Sequence, residues 1–184
     1  MKSVSKSFIL LVFITASFIT TSCDKVAELF KADINLSDTI SFVIPRTQLR
    51  SFDTTKTVQF NVDSFIRAST NNNADLSNLK SVKLKAATLT LMGSPDQNFG
   101  LFKQVQLSVK TNQNSSPYTL LVSDFSNVTN VLAIPVNSND DLKSYFNATS
   151  FIYTLSAELK DSVAEITQEI PCDLIIEYTL SVQK

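Results

Sequence analysis

The chain has 184 residues, a formal net charge of −1 and no histidine. Because it has no basic excess, we do not expect it to bind nucleic acid. The lack of histidine removes the commonest general base and metal ligand, and so excludes most hydrolytic triads and zinc sites. No catalytic or nucleotide motif stands out either, and the sequence therefore predicts a protein that is not an enzyme and needs no cofactor.

A basic, then apolar, then small-polar leader opens the chain. Lys2 and Lys6 provide the positive region, and residues 8–19 are mostly apolar. That run is too short to span a bilayer as a helix, which needs roughly 20 apolar residues. Small residues at 20–22 then precede Cys23, as a signal peptidase requires. We predict a signal peptide over residues 1–22 and a mature chain that begins at Cys23.

The segment Thr20-Thr21-Ser22-Cys23 resembles the lipobox of bacterial lipoproteins, in the polar form typical of Bacteroidota. The resemblance implies that a diacylglyceryl group is attached to the Cys23 sulfur and that cleavage occurs just before it. Two or three acyl chains would anchor the protein stably, at about 0.8 kcal/mol per buried methylene. The implied location is the outer membrane, on its periplasmic or cell-surface face. The alternative is that Cys23 merely lies near an ordinary secretory cleavage site.

After the leader we predict a tether over residues 23–33 and a single domain over 34–184, a usual domain size. Apolar residues of one parity predict a first strand from Ile34 to Ile44, ended by Pro45. Val58, Phe60 and Val62 predict a second, half-buried strand. Residues 63–68 then fit a helical turn with an Asp or Ser cap, and residues 71–73 an exposed loop.

The next strand, residues 82–91, changes parity in its middle. Val82 and Leu84 are even-numbered, whereas Ala87, Leu89 and Leu91 are odd-numbered, so a regular strand would turn half of this apolar set outward. The pattern predicts a β-bulge near Ala86 and Ala87. A turn at 93–96 and a plug at 99–102 that is either irregular or one helical turn are expected to follow.

The middle of the chain predicts a hairpin, an edge strand and a short helix. Residues 103–110 and 118–122 are expected to pair across a polar loop. Residues 131–136 contain Pro135, which favours a sheet edge. Asp140 to Phe146 have apolar residues at helical spacing, which predicts a short capped helix.

The last third shows the most regular alternation. Residues 151–159 and 170–180 each have apolar side chains at every second position, and we predict that these two strands pair with each other in antiparallel fashion. Eight or so strands with long connections favour an all-β, antiparallel two-sheet sandwich with one or two short helices. Both immunoglobulin-like and jelly-roll-like topologies fit this pattern.

Few residues are candidates for chemistry. Cys172 lies in an alternating apolar strand and is interpreted as a buried hydrophobic residue. Asp140 and Asp141, with Asn137 and Asn139, are similar to a loose calcium-binding cluster, but helix capping is the favoured interpretation. Three segments resemble the Asp-Ser/Thr-apolar sequon of O-glycosylation in Bacteroidota, with acceptors at Thr39, Thr54 and Ser162.

These features leave three functional hypotheses. The first is a non-enzymatic envelope lipoprotein that is bound to the membrane through Cys23 and contacts an unidentified envelope protein. The alternative is a carrier that encloses an apolar ligand between splayed sheets, with Phe99, Phe102 and Phe146 at the mouth. A third is an enzyme that uses only carboxylate, Ser or Lys side chains.

Overall fold

A computed structural model describes residues 31–123, 125 and 129–184. Those residues form eight β-strands, one α-helix and three short 3-10 helices. The strands are β1 (Lys31–Ile44), β2 (Ser51–Gln59), β3 (Leu79–Leu91), β4 (Phe102–Thr111), β5 (Tyr118–Ser123), β6 (Val131–Ala133), β7 (Ser150–Leu159) and β8 (Ile170–Gln183). The helix is α1 (Val62–Ser69), and the 3-10 helices are Leu76–Asn78, Phe99–Leu101 and Lys143–Tyr145.

The strands form two antiparallel four-stranded sheets, in the orders β1-β8-β3-β6 and β2-β7-β4-β5. Four pairs are nested within one another along the chain: β1 with β8, β2 with β7, β3 with β6 and β4 with β5. Nested pairing of eight strands in two packed sheets is the jelly-roll arrangement. The predicted antiparallel β-sandwich is confirmed, with jelly-roll rather than immunoglobulin-like strand order.

One continuous core lies between the two sheets. The strands supply it with alternate side chains, most regularly β8, in which every even-numbered residue from Ile170 to Val182 is buried. The odd-numbered residues of β8 lie on the outer face. Because β8 also has a paired strand on either side, it is the most completely enclosed strand of its sheet.

The predicted β-bulge is present in β3, one residue earlier than expected. Leu84 pairs with Tyr178 and Ala86 pairs with Glu177, so Lys85 is the additional residue. Val82 and Leu84 are buried before the bulge, and Ala87 and Leu89 are buried after it. The extra residue therefore restores the burial of both apolar sets.

The predicted pairing of the last two strands is wrong. Strand β7 belongs to one sheet and β8 to the other, and the two face each other across the core. The connection between them, residues 160–169, is long enough to cross from sheet to sheet, and Ile166 forms an isolated bridge with Thr47 on the way. Alternation along a strand identifies its buried face but not its neighbours, so both arrangements fit the same pattern.

Three further boundaries differ from the sequence prediction. Val62 starts α1 instead of continuing β2, and the helix is capped by Asn61, whose side chain accepts from the Ser64 amide, rather than by Asp63 or Ser64. Residues 140–146 contain only a one-turn 3-10 helix, at 143–145. Strand β1 starts at Lys31, inside the predicted tether.

The enclosure of β8 predicts that truncating neighbouring side chains costs very different amounts of stability. Leu174 is fully buried, whereas Ile175 is 40% exposed on the outer face. We expect Leu174→Ala to lower the free energy of unfolding by about 2–5 kcal/mol, because it leaves a cavity in the core. The matched variant Ile175→Ala should cost about 1 kcal/mol or less. Urea denaturation checks both, and equal losses would contradict the assigned register.

Candidate functional site

The predicted acylation site, Cys23, lies outside the described residues, and the first described residue that follows it, Lys31, begins β1. Lys31 is the first residue of β1 and pairs with Gln183, near the end of β8. We call this end of the sandwich the tether end. The opposite end, which carries the β1–β2, β3–β4, β5–β6 and β7–β8 connections, is called the loop end. Within the described ranges, no helix is long and apolar enough to cross a membrane.

A small cavity lies between the sheets where β1 and β2 run along one side of the sandwich. It has a volume of about 20 Å³, room for one or two water molecules at most. Its walls are mostly aromatic and aliphatic, with one carboxylate: Leu36, Asp38, Val58, Phe60, Phe146, Phe151, Tyr153 and Tyr178. The Phe146 ring packs 5.3 Å from the Phe151 ring and 5.0 Å from the Tyr178 ring, centroid to centroid.

Two of the three phenylalanines predicted at a ligand mouth do not line this cavity. Phe99 and Phe102 are buried at the loop end, where the Phe102 ring lies 6.2 Å from that of Phe52. Phe146 does line the cavity, as a packed core residue. The aromatic side chains therefore fill the space between the sheets instead of surrounding a ligand-sized opening.

Two tyrosines beside the cavity have hydroxyl groups whose pKa is raised by burial. Burial raises the pKa of Tyr153 to about 12 and, with the neighbouring Tyr153, raises the pKa of Tyr178 well above its usual value. Both hydroxyls therefore stay protonated at neutral pH. A protonated phenol with a raised pKa is a poor general base, so this pair suits packing better than proton transfer.

The Asn137–Asp141 loop uses its side-chain oxygens to hold itself and β3 together. Asp141 Oδ1 accepts hydrogen bonds from the backbone amides of Val82 at 2.9 Å and Lys143 at 3.0 Å. Asp140 accepts from the Tyr118 hydroxyl at 3.0 Å and from Asn137 Nδ2 at 2.9 Å. Among the described residues no group of three or more acidic or thiol side chains is arranged for a metal ion. These contacts hold the loop together and against β3, whereas the 3-10 helix at 143–145 has Leu142 at its N-cap position and no side-chain capping bond.

The three predicted glycosylation acceptors differ in accessibility. Thr39 is exposed on the outer face of β1, and Ser162 is exposed in the β7–β8 connection. Thr54 is half-buried and shares its parity in β2 with the buried Phe52. Only the first two can accept a sugar without disturbing the contact between the sheets.

Cys172 is fully buried in β8, as predicted for a small hydrophobic residue. Burial, and secondarily the neighbouring Asp173 charge, raises the pKa of its thiol to about 12. Because the thiolate is the reactive form, the folded protein should have an inert thiol at physiological pH.

No protein-family model and no curated protein matches the sequence. Solved structures to which the chain is similar include viral proteins. The chain is 10% identical to the BFDV capsid protein. The match covers 84% of this chain and 99% of that one, with a TM-score of 0.40. It is 8% identical to the protein of infectious bursal disease virus, Gx strain. That match covers 83% of this chain and 32% of that one, with a TM-score of 0.44. It is 10% identical to a protein of Desmodium yellow mottle tymovirus. That match covers 83% of this chain and 90% of that one, with a TM-score of 0.29.

The chain spans about a third of the infectious bursal disease virus protein. At these identities and scores the likeness carries no information on function. The nested strand order itself defines the described residues as an eight-stranded jelly roll.

The burial of Cys172 predicts a thiol that reacts only after unfolding. In a Cys23→Ser chain, where Cys172 is the one remaining cysteine, we expect no reaction with a maleimide at pH 8 in buffer and complete reaction in denaturant. Adding Thr39→Cys supplies an exposed reference thiol, which should react at once. Rapid reaction of Cys172 in the folded protein would contradict its assigned position.

The accessibility of Thr39 and Ser162 predicts where any sugar is attached. In protein isolated from its native host, Thr39→Ala and Ser162→Ala should each remove hexose-sized mass additions, whereas Thr54→Ala should leave them unchanged. Intact-mass spectrometry measures this directly. A native protein without such additions would reject all three sequons.

Proposed function

We propose that the chain is a non-enzymatic lipoprotein of the cell envelope, anchored in the outer membrane through acyl chains on Cys23 and acting through protein contacts. The observation that carries the proposal is the leader, in which a basic segment, an apolar segment and Thr20-Thr21-Ser22 directly precede Cys23. Two or three acyl chains suffice for stable anchoring, so no membrane-spanning segment is needed.

The location of Lys31 supports this arrangement. Cys23 precedes Lys31 by eight residues, a distance of about 28 Å when fully extended. The tether end would therefore stay close to the lipid headgroups. Strand β1, with 14 residues, is about 45 Å long and would carry the loop end away from the membrane.

The loop end has features that suit protein contacts. Leu49 and Met92 are 69% and 59% exposed there, and Val43 is also exposed. The Arg50 guanidinium lies 2.7 Å from the Asp161 carboxylate, and both side chains are mostly exposed. Exposed apolar side chains next to charged ones are common where proteins bind each other. We place the partner-binding surface at this end.

The carrier alternative receives less support. The cavity between the sheets has about 20 Å³, whereas pockets for small organic ligands usually enclose hundreds of cubic ångströms. An apolar ligand would have to separate the packed Phe146, Phe151 and Tyr178 rings.

Replacement of the acylated cysteine tests the anchor. We expect Cys23→Ser, expressed with its leader in the native host, to move from the membrane fraction to the soluble fraction, because it has no sulfur to receive the lipid. The matched cysteine variant Cys172→Ala should remain with the membrane. Retention of Cys23→Ser on membranes after a high-salt wash would overturn the anchoring proposal.

A further inference from the structure

Basic side chains are concentrated at the tether end of the sandwich. We divide the sandwich across the middle of its strands into a tether half and a loop half, and leave out Asp38 and Lys56, which lie at the dividing line. Among the described residues, the tether half carries eight Lys or Arg and six Asp or Glu. The loop half carries four basic and seven acidic side chains. The described domain therefore has a positive end, where β1 begins, and a negative end opposite to it.

Lys31 and Lys80 line one open groove of about 280 Å³ beside the end of β8, and Lys184 follows directly after that strand. The register explains why the two groove lysines flank β8. Lys31 pairs with Gln183 on one side, and on the other Lys80 is the extra residue of a bulge between Leu79 and Ser81. A bulged residue escapes the regular alternation of its strand, and Lys80 is exposed.

These lysines are not neutralised within the described part of the chain. None of its ion pairs involves Lys31, Lys80 or Lys184. The one acid that lines the groove, Asp33, accepts a hydrogen bond from the Ser181 hydroxyl at 2.6 Å. In the groove itself, two lysines and one carboxylate leave an excess of positive charge beside the end of β8.

We propose that Lys31, Lys80 and Lys184 form a docking surface for the anionic phospholipid headgroups of the membrane that holds the acyl chains. The inference rests on the proposed anchoring, because Lys31 follows Cys23 by eight residues and this keeps the surface within about 28 Å of the bilayer. Lysines near an anionic bilayer are attracted to it, and the effect decays within a Debye length of about 8–10 Å. The surface orients the sandwich with its loop end away from the lipid.

Lysine footprinting of the native acylated protein tests this orientation. The protein is reconstituted into vesicles of phosphatidylcholine alone or with about a third of phosphatidylglycerol, and is then acetylated. We expect Lys31, Lys80 and Lys184 to be labelled several-fold more slowly on the anionic vesicles at low salt, with Lys160 at the loop end unchanged. High salt should remove the difference. Equal labelling on both kinds of vesicle would overturn the proposal.

A soluble Cys23→Ser mature chain separates the docking surface from the anchor. Its binding to the anionic vesicles should fall about a hundredfold when Lys31, Lys80 and Lys184 are all changed to Gln, since each lysine contributes on the order of fivefold. The charge-matched variant with Gln at Lys56, Lys103 and Lys160 should lose less than about twofold. Equal losses in the two variants would overturn the docking surface.

If the chain is not acylated, the vesicle experiments give a different result from the one expected if only the lysine surface is wrong. A native chain without acyl groups would leave phosphatidylcholine vesicles at high salt, whatever the three lysines do. The binding of the Cys23→Ser chain to anionic vesicles would be the same in either case, because that variant carries no lipid. The two experiments therefore report separately on the acyl chains and on the lysines.

Discussion

The nested pairing of first strand with last is the constraint on which the rest of the structure depends. Within the described residues, β1 pairs with β8 alone, so β1 is held in its sheet only after the last strand has folded against it. The same nesting brings Lys31 beside Gln183 and Thr47 beside Ile166. Contacts of such long sequence separation lead to slow folding. The order of strands, more than any local motif, decides which residues meet.

Three of the four edge strands, β1, β2 and β6, have features that protect them from pairing with another chain. Asp38 faces inward in β1, and its carboxylate accepts the backbone amide of Thr39 at 2.9 Å. Lys56 shares the inward parity of β2. Strand β6 is only three residues long, and beyond it the backbone amide of Leu142 bonds to the Val82 carbonyl. Inward charges and short edge strands are known devices against aggregation.

The sequence predicted most of the strands and the β4–β5 hairpin, but not the pairing of the last two strands. Alternation located the buried residues of β8 and, through the change of parity around Ala86, the bulge that the structure has at Lys85. Pairing between β7 and β8 was wrong because alternation contains no information on neighbours across a long connection. Burial of Cys172 followed from its parity. The lysine surface was missed since Lys31 and Lys80 are distant in sequence and meet only across β8; their grouping depends on strand order.

The edge position of β1 also has a mechanical meaning. If Cys23 is held in a membrane while a partner pulls on the loop end, the load enters the domain at Lys31 and passes to β8 through a ladder of 14 residue pairs. The pull runs along the strands, so the hydrogen bonds of this ladder share the load in shear and are not broken one after another. A jelly roll anchored at its first strand is thus suited to transmit force without unravelling from the attached end.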